Sequence, residues 1–338
     1  MRAWVLSAGA SSLDDLHLVE RETPTPGPGQ VLIRVRACSI NFRDQLIPQG
    51  LYMGGKASQD VILLSDGVGD VVGVGTGVRR FVAGDRVAGT FFQNWDDGPP
   101  NASVGQALGA APVDGMLAEY VVLPEAGVTH IAQSLTYEEA ATLPCAGVTA
   151  WNALMEGPQP TKAGDTVLVL GTGGVSLLAL QIAKAAGAVV VATSSSDEKL
   201  ARAVALGADH TINYRTTADW GAEAVRLTGG RGIDHVIEVG GAGTLAQSIQ
   251  AVACGGEVSL IGVLTREGDT SPRALMFKWA SMRGIFVGSR GMADRLNAFI
   301  DAHQIKPVVD RTFALEDAKA AFAYQSSPEL FGKTVITL

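Results

Sequence analysis

The chain reads as an α/β protein in which a parallel, doubly wound sheet interrupts a β-rich domain. Three observations predict this. Glycine is abundant, at 41 of 338 residues, and charge is only 18%, which favours tight turns and close backbone packing. The first third is strand-like and punctuated by Gly and Pro, while the middle alternates apolar strands with helical patterns. The length fits two domains better than one.

The elements follow in order. Val31–Val35, Gly69–Val74 and Glu119–Leu123 carry β-branched residues between turn signals. Pro24–Gly29 is a turn cluster leading into the strand from Gln30, and Phe81–Val87 is a turn with Asp85 at its tip. Near Leu135 the period changes, and Thr136 followed by Glu139 opens a helix with a capping signal. Six strands are then expected: Thr166–Leu170, Val189–Thr193, His210–Tyr214, Ile233–Val239, Glu257–Gly262 and Ile285–Gly288. Helices at Gly174–Ala186, Asp197–Leu206, Asp219–Leu227 and Thr244–Ala253 separate the first five. Continuous apolar strands alternating with helices mean a parallel sheet covered on both faces. The tail holds helices at Asp294–His303 and Leu315–Gln325 and a strand at Lys333–Leu338, and should return to the N-terminal domain.

The net charge of −8 argues against a nucleic-acid partner, which needs a basic surface. The three cysteines, Cys38, Cys145 and Cys254, are too scattered for a disulfide framework or a CxxC site. The N-terminus lacks a secretory pattern, and no run reaches the roughly 18 apolar residues of a membrane span. A soluble, reduced, cytoplasmic protein is expected.

The strand Thr166–Leu170 ends in Gly171-Thr172-Gly173-Gly174-Val175-Ser176 and enters a helix. This is the dinucleotide fingerprint of a Rossmann domain, with Ser176 in the third glycine position. Gly171 serves the tight turn, Gly173 lets backbone approach a pyrophosphate, and the helix N-terminus offers free N–H groups. An NAD site would end the second strand in Asp or Glu. Here it ends Ser194-Ser195-Ser196, with Lys199 a helical turn on. Small hydroxyls and a cation suit a 2′-phosphate, so NADP(H) is expected. Ser194–Ser196 can alternatively be simple helix caps, and Asp197 would become a ribose ligand in a shifted register. Ligands bind at carboxyl ends of parallel strands. That selects Tyr214, then Val239, Gly240 and Gly241, then Ile261, Gly262 and Val263, with Phe286, Val287 and Gly288 toward the nicotinamide.

With these motifs in hand, the whole chain resembles the medium-chain dehydrogenase/reductase superfamily. The resemblance rests on MRAW at the start, ACSINFRD, GVGDVVGVG, AGDRV, LPCAGVTAW, GTGGVS and the terminal FGKTVI. It implies a GroES-like catalytic domain, residues 1–128 with 291–338, split by a Rossmann NADP-binding domain with a six-stranded parallel sheet, residues 129–290. Zinc-dependent members use a Cys where this chain has Asn41 and a His where it has Ser65. Asp66 and Cys145 match, but two ligand types are too few for a catalytic zinc. The zinc-independent branch, resembling quinone oxidoreductases and enoyl reductases, is therefore implied, with no metal.

In that branch the run Asn41-Phe42-Arg43-Asp44 and the element Gly50-Leu51-Tyr52 border the nicotinamide. The resemblance makes Tyr52 a proton donor. Asn41 would donate to the developing oxyanion, Asp44 would orient it or Tyr52, and Thr149 and Lys333 would lie at the cofactor; Lys333 can equally be a strand-end surface lysine, and Tyr52 a surface-loop aromatic. Asn41 can equally cap a helix from Phe42. Cys145 reads most simply as a small residue of the cleft. The loop Phe91–Leu108 should shape the site or an interface, with Trp95 a candidate substrate contact. The expected function is NADPH-dependent hydride transfer to a quinone or an α,β-unsaturated carbonyl compound. A ketone reductase or alcohol dehydrogenase of the same superfamily, and an NADPH-binding protein without turnover, are the rivals. Members are commonly homodimers joined through the Rossmann sheet, here through Val258–Val263 and Ile285–Gly288.

Overall fold

A computed structural model describes residues 1–53, 55–100, 104–105, 107–262, 264–265 and 267–338. Of the expected cofactor residues, Val263 lies outside the described residues. The chain forms two compact units, residues 1–148 with 288–338, and residues 149–287. The sequence reading divides it at 128/129 and 290/291 instead. Residues 129–148 go with the first unit because the helix Tyr137–Ala141 packs on the strands Gln30–Ser39 and Asp66–Val74. Its start carries the expected box: Thr136 accepts from the Glu139 N–H, and Glu139 accepts from the Thr136 N–H at 2.9 Å.

The first unit is built on a seven-stranded sheet. Its order is Val309–Ala314, Lys333–Thr337, Gln30–Ser39, Asp66–Val74, Arg86–Gly89 and Val128–His130, with Tyr120–Pro124 also on Gln30–Ser39. A smaller sheet joins Leu16–Glu20, Arg2–Leu6 and Val61–Ile62. The tail does return to the N-terminal segment. Lys333–Thr337 runs antiparallel to Gln30–Ser39, with Ile336 opposite Cys38 and Val335 opposite Ser39. On the other side of the same strand, Ser39 lies opposite Asp66. The end of one strand and the beginnings of two others therefore meet. Beneath them Ile33, Leu64, Met116, Phe322 and Ile336 are fully buried in one core.

The second unit holds six parallel strands in the order His210–Asn213, Val189–Ser194, Thr166–Leu170, Ile233–Glu238, Val252–Leu260 and Ser281–Gly284. Counted along the chain this is 3-2-1-4-5-6, the Rossmann order. The central strand Thr166–Leu170 is buried throughout, as its unbroken apolar run requires. The last strand lies four residues earlier than the apolar run Ile285–Gly288 suggests. Val287 has φ +55°, which no strand residue adopts. The polar stretch Ser281–Gly284 pairs instead, because Arg283 is anchored by Glu257 at 3.0 Å and by Asn152.

A buried carboxylate organises the turn after the fourth strand. Glu238 accepts from the Gly240 N–H at 2.7 Å, the Gly241 N–H at 2.9 Å, the Thr244 hydroxyl at 2.6 Å and the Ser248 hydroxyl. Gly262 packs so tightly here that an added Cβ would stand 1.7 Å from the Val239 carbonyl oxygen. Replacing Glu238 by Ala strands four donors. We expect a loss of about 3 kcal/mol in unfolding free energy, measurable by urea titration; a change below about 1 kcal/mol would refute this role.

Candidate active site and cofactor turn

In the first unit, the short helix Phe42–Leu46 starts at Asn41, and Asp44 returns a carboxylate oxygen to the Asn41 N–H at 2.8 Å. Asn41 thus occupies the N-cap position, as the capping alternative expects. Its side-chain oxygen also accepts from Lys333 Nζ at 2.5 Å, and Lys333 donates to the Ile40 carbonyl at 2.6 Å. Asn41 Nδ2 is buried and has no hydrogen-bond partner. Lys333 is 3% exposed, so it is not a strand-end surface lysine; it bonds Asn41 because the strand it opens pairs with Gln30–Ser39.

Charged groups crowd this corner. Asp44 and Asp66 are fully buried. Asp66 accepts from the Ser65 hydroxyl at 2.7 Å and the Cys145 N–H at 3.1 Å. Cys145 sits in a wide π-type turn, Leu143–Gly147, a distortion often found at functional sites. Leu64, just before Ser65, has φ +68°, a strained conformation for a leucine, held by the Met116 N–H on its carbonyl. Burial raises the Asp44 carboxyl to about 6, partly opposed by Arg43. Burial also pushes the Cys145 thiol up and pulls the Lys333 ammonium down, the latter opposed by Asp66.

Sequence reasoning passed over Arg43. It is buried, with its guanidinium 4.5 Å from the Tyr52 ring centroid and 4.9 Å from that of Phe91. It donates to the Leu108 carbonyl at 2.9 Å and to Asp44 at 3.3 Å, leaving Nε and Nη2 unpaired. The alternation of an aromatic, a cation and an aromatic fixes Tyr52, which is half-buried. Burial holds its phenol above the ordinary range, so it carries its proton at neutral pH. Trp95 turns out to be a packing residue: it is buried, its indole donates to the Gly98 carbonyl, and its own carbonyl caps the Arg290 N–H.

In the second unit, Gly171 has φ +71°, and neither Gly171 nor Gly173 has any atom within 4 Å of a notional Cβ. The backbone of this turn is open to an incoming group. The Gly171 N–H is held by the Thr193 hydroxyl at 3.2 Å, and Ser176 is buried with its hydroxyl on the Leu170 carbonyl. Ser therefore packs helix on strand as the third glycine would. The 12-residue helix Gly174–Ala185 follows directly on this turn with no side-chain cap at its N-terminus, where the positive end of the helix dipole lies.

Ser194 ends the second strand and accepts from the Ser196 N–H, while Ser196 caps the Lys199 N–H. Ser196 is thus the helix cap, whereas Ser194 and Ser195 are not. Asp197 accepts from Asn213 Nδ2 at 2.7 Å and is the first residue of the helix Asp197–Ala205, beyond the strand end at Ser194. Lys199 is half-buried on that helix, and Tyr214 is exposed just after the third strand. The Gly240 and Gly241 N–H groups point at Glu238, so with Val239 this turn offers surface rather than donors. Ile261 and Gly262 both donate to the Glu238 carbonyl at 2.9 Å. Thr149 is buried. Phe286 is exposed, and Val287 is held by Asn152 Nδ2 on its carbonyl at 2.6 Å. Gly288 belongs to the first unit.

A glycine-cradled parallel sheet in one unit and a buried polar corner in a β-rich other unit define a nicotinamide-dependent oxidoreductase class. Comparisons agree. The "Alcohol dehydrogenase GroES-like domain" family matches residues 27–133, and the "Zinc-binding dehydrogenase" family matches residues 174–302. A zinc-type alcohol dehydrogenase-like protein of Schizosaccharomyces pombe is 45% identical, over 99% of both chains. The quinone oxidoreductase of Rattus norvegicus is 29% identical, covering 93% of this chain and 91% of its own. A crystal structure of an NAD-dependent alcohol dehydrogenase superposes with a TM-score of 0.89 at 34% identity, covering 100% of both chains. The chain belongs to the medium-chain dehydrogenase/reductase superfamily of oxidoreductases, with a GroES-like and a Rossmann domain.

Among the described residues, no helix is long and apolar enough to cross a membrane, and no group of three His, Cys, Asp or Glu could hold a metal. The buried Asp44 supplies a pH test. Its folded value near 6 lies above the ordinary 3.8, so its contribution to stability is full below 3.8 and is lost as pH rises through 6. Relative to Asp44→Asn, the wild type should lose melting temperature between about pH 4 and 6. Parallel melting curves for the two proteins across that range would refute the assignment.

Proposed function

We propose that the protein is a zinc-independent, NADPH-dependent oxidoreductase that reduces an α,β-unsaturated carbonyl compound or a quinone. The observation that carries this reading is the Asn41 amide: Nδ2 is buried, unpaired, and held by its oxygen at the other end. An unmet buried donor costs about 1–3 kcal/mol and is retained where a ligand meets it.

When bound, the dinucleotide supplies a hydride. Gly171, Thr172, Gly173 and the N–H groups of Gly174–Ser176 would hold its pyrophosphate, with Ser194, Ser195 and Lys199 at the 2′-phosphate. Asp197, engaged by Asn213, is a poor ribose ligand, which supports NADPH over NADH. As negative charge gathers on the substrate oxygen, Asn41 Nδ2 donates to it. Tyr52, neutral and stacked on Arg43, delivers the proton to the α-carbon or the oxygen. The sum is one hydride and one proton added across C=C, or across a quinone to give the hydroquinone.

Zinc does not fit these residues. Asn41 and Ser65 stand at two of the positions where zinc-dependent relatives carry ligands, and the Asn41 oxygen is already bonded by an ammonium. Asp66 and Cys145 leave fewer than the three ligands a catalytic zinc takes.

The test is NADPH consumption by chelator-treated protein with 2-cyclohexenone and with 9,10-phenanthrenequinone, the product identified by mass spectrometry. Saturated ketone or hydroquinone is expected. Allylic alcohol would move the assignment to carbonyl reduction, and loss of turnover on chelation would overturn zinc independence. Tyr52→Phe should lower kcat about 100-fold. Lys199→Glu should raise the Kd of NADPH far more than that of NADH; equal weakening would sink the phosphate site.

A homodimer through the Rossmann sheet is also proposed, with one change from the sequence reading. Val252–Leu260 is paired on both sides, so at this end of the sheet the outer edge of Ser281–Gly284 is the open one among the described residues. Met276, Phe277 and Trp279, just before that strand, are 70%, 71% and 81% exposed. Sedimentation should give a dimer for the wild type and a monomer for Trp279→Glu combined with Phe277→Glu.

A further inference from the structure

We propose that Lys333 is a positioning residue that sets the orientation of the Asn41 amide and polarises it, making Nδ2 the donor to the substrate oxygen. This rests on the reading of Asn41 as oxyanion donor. An asparagine amide can present either its oxygen or its nitrogen to a site, and which end it presents is decided by its neighbours. An ammonium has donors only. The end of Asn41 that meets Lys333 Nζ at 2.5 Å must therefore be the oxygen. The flipped amide would set N–H against N–H beside a buried cation.

The rest of the lysine is equally constrained. Lys333 is 3% exposed and Asn41 8%. The second bond of Lys333, to the Ile40 carbonyl at 2.6 Å, ties it to the backbone next to Asn41. Backbone pairing repeats the tie, because the Ile40 N–H donates to the Thr334 carbonyl at 3.1 Å. Asp44 fixes the other side of the residue by accepting from the Asn41 N–H. Asn41 is thus held at its N–H and its side-chain oxygen, and the only part without a partner is Nδ2.

The charge adds to the orientation. A cation on the amide oxygen draws density from nitrogen and strengthens the bond that nitrogen donates, a cooperative chain in a low-dielectric setting. The chain runs ammonium, amide, substrate oxygen. Its benefit grows as the substrate oxygen gains charge, so it acts on the transition state more than on the bound substrate.

The experiment is a double-mutant cycle on kcat with NADPH and 2-cyclohexenone, or 9,10-phenanthrenequinone if that turns over faster. Asn41→Ala is expected to lower kcat about 100-fold. Lys333→Met should lower it at least 10-fold with the KM for NADPH changed less than twofold, and the double variant should be no slower than Asn41→Ala alone. Lys333→Gln, a neutral donor that still reaches an acceptor, should recover at least threefold over Lys333→Met. If Lys333→Met does not fold, the same cycle is read on Lys333→Gln. Wild-type kcat in the Lys333 variants, or losses that multiply in the double variant, would overturn the positioning role. Wild-type kcat in Asn41→Ala would instead overturn the underlying assignment of Asn41.

Discussion

The antiparallel pairing of Lys333–Thr337 with Gln30–Ser39 is the constraint on which the polar corner depends. It joins residues 292 apart in sequence, Lys333 and Asn41, in a hydrogen bond. Pairing register is strict where one face is buried, since a slip of one residue would turn every side chain over. Ile336 opposite Cys38 and Val335 opposite Ser39 are buried, so the register is held by the core. Lys333 is thereby delivered to Asn41 by apolar packing elsewhere on the strand. The same central strand carries Asp66 on its other flank through the Ser39 pair. One sheet thus positions a cation and a carboxylate, Asp66, on opposite flanks of the strand that leads to Asn41.

The second unit solves a different problem with the same economy of parts. A parallel sheet leaves its carboxyl ends as loops, and those loops must be firm if they are to meet a ligand. Thr193 holds the Gly171 turn, Glu238 holds the Gly240–Gly241 turn, and Asn152 holds Val287. In each case a side chain satisfies backbone at a position whose φ is positive or whose neighbour's is. A rigid frame of this sort lets the open backbone of Gly171 and Gly173 wait without rearrangement.

The sheet and its turn were legible in the sequence because their signals are local. Buried parallel strands read as apolar runs, and the glycine turn has a fixed spacing. The last strand was misplaced for the same reason: Ile285–Gly288 is the apolar run, yet Val287 is forced into the left-handed region, and Arg283 lets a polar stretch pair. Asn41, Asp44 and Tyr52 were singled out by resemblance, while their contacts with Lys333 and Arg43 were not. Arg43 was read only as part of the run bordering the nicotinamide, with no role of its own. Lys333 was placed near the cofactor by resemblance alone, and nothing near residue 333 indicates that its side chain bonds Asn41. Likewise, no local pattern could show that Gly240 and Gly241 spend their N–H groups on Glu238.

Unfavourable features concentrate around Asn41. Within one corner of the first unit lie two buried carboxylates, a buried ammonium, a guanidinium with two unmet nitrogens, an unpaired amide and a leucine with φ +68°. Each costs stability when taken alone, and a buried pair of opposite charges seldom returns the cost of its own desolvation. Apolar residues of similar volume would be better tolerated by the fold. The surrounding core, with Leu63, Leu64, Met116 and Phe322 fully buried, is what can support such a cluster. Buried charge, unmet polar atoms and backbone strain coincide in this corner, and that coincidence is the physical reason to place the chemistry there.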